Sequence, residues 1–263
     1  MEYIPKIIHY CWFGGKKKPK YIIEYMNTWK KMNGYEIKEW NEYNFNVNEC
    51  NFIKEAYKNK KWAFVSDYVR LSVLKKYGGI YLDTDVEVLK DFEPLLKEEM
   101  FIGYIYNCSI GTAVIGAKAN HYIINDLLKL YETAEFKICE NKVKLKFKGY
   151  EKYQINNNND LFTVYLKENL NGFLLSNKKQ SLDKITIYPK EYFERRTFDK
   201  KKNFSIHHCY GSWYKDNPNK RSKMAKCINF LIGDICYDKL RSNIKLRKLP
   251  YYDLYKIDNK RKN

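Results

Sequence analysis

The chain has 263 residues, 44% apolar and 30% charged, which suffices for one sizeable domain that buries its own core and argues against global disorder. A net charge of +18 favours phosphate-bearing or polyanionic partners, whether nucleic acid, anionic lipid headgroups or small phosphorylated molecules, without choosing among them. Seven scattered cysteines with no CxxC pair exclude a cysteine zinc module and fit reduced thiols in a cytoplasmic setting. The acidic second residue, with no basic segment leading into an apolar one, is not expected to mark a signal peptide, and no run reaches the apolar length of a membrane span.

In chain order, residues 4–13 read as a short, largely buried strand that stops at Gly14-Gly15, a place where the backbone turns freely and ligand loops often begin. Ile22, Tyr25, Met26 and Trp29 recur at helical spacing, and residues 35–40 alternate as a strand does. Phe64, Tyr68, Leu71 and Leu74 predict a helix over 61–77 that Gly78-Gly79 terminates, and Ile80-Tyr81-Leu82 follows as a buried strand. Residues 86–89 read as a further extended piece, residues 100–106 and 110–117 as two strands, and residues 123–131 as a helix behind them.

Residues 156–159, an asparagine run, are expected in a loop before a helix over 160–168. Late strands are expected at 185–188 and 204–207, and Ile228, Leu231, Ile232 and Ile235 give residues 224–240 an amphipathic, basic helix. Alternating strands and helices without an internal repeat predict an α/β layer fold.

Asp83-Thr84-Asp85 sits where a strand ends, the position at which open α/β sheets bind ligands. Two carboxylates bent round one point suit Mg²⁺ or Mn²⁺, which bridge carboxylate and phosphate oxygens; as bare text, Asp-x-Asp is more often a solvated turn. Asp67 and Arg70 share one helix face, an arrangement that is most often a surface ion pair. Trp12 beside the glycine pair is either core or a stacking platform for a base.

The string from Ser66-Asp67-Tyr68-Val69-Arg70 through Gly78-Gly79 to Tyr81-Leu82-Asp83-Thr84-Asp85 resembles the DXD-containing sugar-binding region of family thirty-two glycosyltransferases. That family includes yeast mannosyltransferases and bacterial capsule-synthesis transferases, and it is related to the glucosylating large clostridial toxins. Ile8-His9-Tyr10-Cys11-Trp12-Phe13-Gly14-Gly15 and His207-His208-Cys209-Tyr210-Gly211-Ser212-Trp213 resemble the same proteins in the same order.

The resemblance implies a GT-A type, Rossmann-like domain with a mixed central sheet and added C-terminal helices. It implies Mn²⁺ (or Mg²⁺) and a nucleotide-sugar donor, UDP-linked first among candidates, with transfer of a hexose or N-acetylhexosamine to a glycan or lipid-linked acceptor in surface polysaccharide synthesis. By that analogy Asp83 and Asp85 hold the metal, with His208 preferred over His207 as third ligand because of the following Gly211-Ser212-Trp213. Trp12, Tyr81, Ser212 and Trp213 bind the nucleotide sugar, and Asp67 and Arg70 serve recognition and catalysis. Relatives often carry a Thr-Gly-Pro turn where this chain has Asn158-Asn159-Asp160.

Residues 1–219 are read as the transferase domain and residues 220–263 as a basic extension. The extension has 13 Lys/Arg against four Asp, and is expected to touch anionic membrane at the inner face of the cytoplasmic membrane. The charge and tyrosine content also fit a single-strand nucleic-acid-binding protein, and clustered acids with histidine fit a metal-dependent phosphodiesterase; neither explains the ordered motifs, and no nucleic-acid partner is expected.

Overall fold

The computed structural model describes residues 4–140, 142–209, 223–247 and 249–260. Strand β1 (Ile7–Cys11) leads through helix α1 (Lys20–Thr28) to β2 (Glu36–Trp40); helices α2 (Asn51–Lys58) and α3 (Trp62–Tyr77) then return to β3 (Gly79–Leu82). β4 (Val86–Val88) is followed by the paired long strands β5 (Met100–Tyr106) and β6 (Ser109–Ala117), then α4 (Tyr122–Glu132), a hairpin of β7 (Glu135–Cys139) and β8 (Lys142–Lys146), and α5 (Asn158–Asn169). β9 (Gln180–Leu182), β10 (Ile185–Tyr188), the one-turn α6 (Lys190–Phe193), β11 (Ser205–His207), α7 (Lys223–Leu246) and α8 (Tyr252–Lys260) complete the described chain.

Seven strands form one mixed sheet in the order β2-β1-β3-β6-β5-β10-β9. β1 pairs in parallel with β2 on one side and β3 on the other, so the carboxyl ends of β1 and β3 open onto one crevice, a topological switch point. This is the mixed α/β architecture that the resemblance implied. β11 and β4 pair separately as an antiparallel ribbon, with His207 opposite Val86.

One core contains the side chains of α2, α3, α4 and α5 with Phe136 and Phe147; the other gathers Trp29, Val86, Val88, Phe92, Phe101 and Phe193. α3 buries Val65, Tyr68, Val69, Leu71, Val73 and Leu74 around much of its circumference, so it lies inside the molecule rather than on it. It stops at Gly78 because the backbone there turns to a positive φ of 64°, where an added Cβ would stand 2.7 Å from the Ala119 nitrogen. Gly79 is equally constrained, its Cβ position lying 2.6 Å from the Ile7 carbonyl oxygen, so β3 can run close beside β1.

The asparagine run is not a loose loop. Asn157 caps α5 by accepting from the Asp160 N–H at 3.0 Å, Asn158 accepts from the Tyr131 hydroxyl at 2.9 Å, and Asn159 clamps Thr112 of β6. The basic extension is only partly an appendage: Leu246 and Tyr251 are buried in the larger core, Tyr251 donates to Asp160, and Asp258 pairs with Lys167 at 2.7 Å. α7 carries a break at Gly233 (φ 75°, ψ 160°) that divides it into two helical pieces. No helix among the described residues is long and apolar enough to cross a membrane.

Candidate functional site

β3 delivers the acidic pair to the crevice. The Asp83 N–H donates to Ala113 of β6 and the Val86 N–H donates back to the Asp83 carbonyl, so the chain turns at 83–86 and bends both carboxylates to one side.

Behind the pair stands Arg70, 4% exposed and committed to four protein oxygens. Its Nε donates to Ser66 O (3.2 Å) and Nη1 to Thr112 O (2.6 Å), while Nη2 lies 3.1 Å from Asp67 Oδ1 and 3.3 Å from Asp83 Oδ1. The strut reaches further back, because Asn159 accepts from both the N–H and the hydroxyl of Thr112. The cap of α5 thus steadies the strand that steadies Arg70.

Tyr81, expected to bind the donor, is 1% exposed; its ring lies under the Arg70 guanidinium and its hydroxyl donates to Asp83 Oδ1 at 3.1 Å. In this arrangement Tyr81 orients Asp83. Arg70, expected to serve recognition and catalysis, meets Asp67 and Asp83 here and holds both carboxylates in position.

The imidazole beside the acids is His207, not His208. His207 Nε2 is 3.3 Å from Asp85 Oδ1, and ligand atoms of Asp83, Asp85 and His207 all lie within 4.8 Å of one another. His208 points the other way, its ring stacked on Tyr25 at 4.1 Å and its Nε2 3.0 Å from Glu87. Apolar alternation would group Phe204, Ile206 and His208 inward; the ribbon instead buries Ser205, whose hydroxyl donates to Phe193 O, and His207 follows it to the inner face.

Glu194 was not anticipated. Its carboxylate is 1% exposed and accepts from His207 Nδ1 at 2.6 Å, which fixes the tautomer and aims Nε2 at Asp85. Gly111 of β6 makes the room, since a Cβ there would collide with the Glu194 carboxylate. The Cys209 thiol also approaches His207 Nδ1, at 3.5 Å. No sequence spacing announces Glu194, which stands between Glu191 and Asp199 in the segment before the histidine pair.

Electrostatically the cluster is unbalanced. Burial, opposed by Arg70 and reinforced by Asp83, pushes the Asp67 carboxyl up to about 7, and burial likewise raises Asp83 against the pull of Arg70 and His207. Burial alone would pull His207 down, but Cys209, Glu194 and Asp85 hold it well above the ordinary histidine value. His208 is lowered by its burial, with Glu87 opposing. Two carboxylates and one imidazole with ligand atoms this close suit a small divalent cation such as Mn²⁺ or Mg²⁺, which would take the place of the proton that this charge holds on His207.

Trp12 follows β1 at the same edge of the sheet, half-buried, with Nε1 donating to Lys16 O at 2.6 Å and Lys18 Nζ 5.4 Å from its ring centre. Ser212 and Trp213 lie outside the described residues.

Residues 19–102 match the family described as the glycosyltransferase sugar-binding region containing the DXD motif, a span that holds Asp67, Arg70, Tyr81, Asp83 and Asp85. An uncharacterized glycosyltransferase of Acanthamoeba polyphaga mimivirus is 31% identical over 141 residues, covering 48% of this chain and 55% of the viral protein. Inositol phosphoceramide mannosyltransferase 3 of Schizosaccharomyces pombe is 28% identical over 122 residues, covering 45% of this chain and 34% of the yeast protein. The matches thus span about half or less of those relatives. Among solved structures, PaToxG glycosyltransferase aligns at a TM-score of 0.42 and 22% identity over 49% of this chain and 60% of its own. A glycosyltransferase involved in glycosylation of the major capsid of PBCV-1 aligns at 0.44 and 12% over 78% and 94%.

Proposed function

We propose that this chain, with its DXD-containing sugar-binding region, is a metal-dependent retaining glycosyltransferase. It moves a hexose or N-acetylhexosamine from a nucleotide sugar, a UDP-sugar first among candidates, to a glycan or lipid-linked acceptor in surface polysaccharide synthesis. The observation that carries this reading is the convergence of Asp83, Asp85 and His207 at the carboxyl edge of β3, with Glu194 fixing the imidazole from behind.

Asp83, Asp85 and His207 would hold the cation, which supplies neutralisation of charge on the departing nucleoside diphosphate. Arg70 and Tyr81 keep Asp83 in place, so the site is preorganised before donor binds. Asp67, with its pKa pushed up to about 7, can share hydrogen bonds with hydroxyls of the donor sugar. Trp12 offers an aromatic face to the base, a contact worth about 1–3 kcal/mol. By the same resemblance Ser212 and Trp213, which lie outside the described residues, would contact the diphosphate, and exclusion of water there would suppress hydrolysis of the donor. In a retaining transfer the acceptor hydroxyl attacks from the face the nucleoside diphosphate leaves, and no enzyme nucleophile is needed.

The test is a donor panel of UDP-glucose, UDP-galactose, UDP-N-acetylglucosamine and GDP-mannose with Mn²⁺, read as nucleoside diphosphate release. Release from one donor by the wild type, lost in Asp85→Asn, is the expected outcome. Salt-dependent oligonucleotide binding with no release from any donor would overturn the reading.

A further inference from the structure

Three supports of the acidic cluster rest on one short stretch of β6. The Ala113 carbonyl accepts from the Asp83 N–H at 2.8 Å, the Thr112 carbonyl accepts from Arg70 Nη1 at 2.6 Å, and Gly111 leaves the room that the Glu194 carboxylate fills. That stretch is irregular. On the β5 side the register jumps from Ile102 opposite Ile115 to Gly103 opposite Gly111, and on the β3 side it ends with Leu82 opposite Val114, so Thr112 and Ala113 fall outside both ladders. A bulged segment has lost part of its ladder, and its position depends on whatever else grips it.

The grip comes from the first turn of α5. Asn159 Oδ1 accepts from the Thr112 N–H at 3.1 Å and from the Thr112 hydroxyl at 2.7 Å. Thr163 donates its hydroxyl to Asn159 O at 2.7 Å and accepts from the Ile110 N–H at 2.9 Å. This turn is fastened from behind by the C-terminal segment. Tyr251, 2% exposed, stands just before α8 and donates its hydroxyl to Asp160 Oδ1, while Asp160 Oδ2 accepts from the Asn156 N–H at 3.0 Å. At the other end of α8, Asp258, 1% exposed, accepts from Lys167 in the last turn of α5 at 2.7 Å and from the Leu175 N–H at 2.9 Å. α8 is therefore anchored to both ends of α5.

We propose that Tyr251 is a positioning residue of the site. Through Asp160 and Asn159 it holds the irregular stretch of β6 on which Asp83, Arg70 and Glu194 lean, so residues 249–260 belong to the scaffold of the site. A buried carboxylate that loses a donor relaxes toward other partners, and a ligand set tolerates little displacement of its supports. The inference rests on the reading of Asp83, Asp85 and His207 as cation ligands, and two readouts keep the failure of one apart from the failure of the other.

Tyr251→Phe keeps the ring in the core and removes only the hydroxyl. Calorimetric Mn²⁺ affinity of the full chain, measured well below the melting temperature, is expected to fall by about three- to tenfold. Exchange of the Thr112 and Asp83 amide hydrogens is expected to speed by about the same factor relative to that of the Ile8 amide on β1. Asp160→Ala reaches the same bond from its other side and should match, whereas Asp160→Asn keeps an oxygen for the hydroxyl and should lose less. Adding Asn159→Ala to Tyr251→Phe should cost no more than the larger of the two single changes, because both act along one path. Melting curves check that each variant folds; should Tyr251→Phe fail to, Asp160→Asn carries the same comparison. A lower melting temperature with unchanged Mn²⁺ affinity and all three amides speeding alike would make Tyr251 a packing residue and overturn the inference. Losses that simply add in the double variant would overturn it too. Should the wild type take up no Mn²⁺, the cation reading fails, and exchange at Thr112 and Asp83 still decides whether Tyr251 positions them.

Discussion

Two histidines, His9 on the central sheet and His207 on the β4–β11 ribbon, behave in opposite ways. His9 on β1 is fully buried and closed on itself: Nε2–H donates to Gly78 O at 2.8 Å and Nδ1 accepts from Trp40 Nε1 at 3.1 Å. Burial, with the Gly78 bond opposing, takes its pKa down to about 4, so it is a neutral structural group. His207 is gripped by Glu194 and aimed at Asp85, and its pKa goes up. The lesson is that a polar cluster whose donors and acceptors close on one another belongs to the fold, whereas one that gathers several carboxylates and an imidazole around a common point is suited to hold a proton or a cation there.

The sharpest way to break that contrast is Asp85→Asn, which is expected to lower nucleoside diphosphate release by about 10²–10³-fold while leaving the melting temperature near wild type. Next, Arg70→Met leaves Asp67 and Asp83 buried without their counter-ion, an expected cost of about 3–5 kcal/mol in chemical denaturation. Added Mn²⁺ should recover part of that loss. In the closed cluster Trp40→Phe removes only a donor to His9 and should leave Mn²⁺ affinity unchanged.

His9 gives the pH arm. Its folded pKa lies below the unfolded 6.5, so its contribution is present above pH 6.5 and lost as pH falls toward about 4. The size is about 3 kcal/mol, and the slope should flatten in His9→Gln, whose amide can still donate and accept. The smallest expected loss is in Glu194→Gln, about 10–100-fold in Mn²⁺ affinity by calorimetry, with the fold intact, because the side chain orients the ligand imidazole. Unchanged affinity would reduce Glu194 to packing.

Much of this arrangement was legible in local pattern. Gly78-Gly79 marked the stop of α3, and the strand before Asp83 placed the acids at a sheet edge, because positive-φ glycines and short apolar runs leave strong local signals. What escaped depended on contacts across the chain. Phe52, Ile53 and Ala56 carry the helical spacing of α2, but a helix of eight residues among polar neighbours is a weak pattern. The β7–β8 hairpin alternates, yet its outer face is so rich in lysine that it reads as loop. His207 and His208 were interchanged because which of two adjacent residues faces inward is set by the pairing of β11 with β4 and by the burial of Ser205, and neither leaves a trace in spacing. Glu194 becomes meaningful only once Gly111 lets it reach the ring.

The most direct measurement is anomalous diffraction at the manganese edge from crystals soaked in Mn²⁺ and UDP. The account expects one strong peak between the Asp83 and Asp85 carboxylates and His207 Nε2, at ligand distances of about 2.0–2.3 Å. A peak between His208 and Glu87, or none while the three side chains keep their present positions, would contradict it.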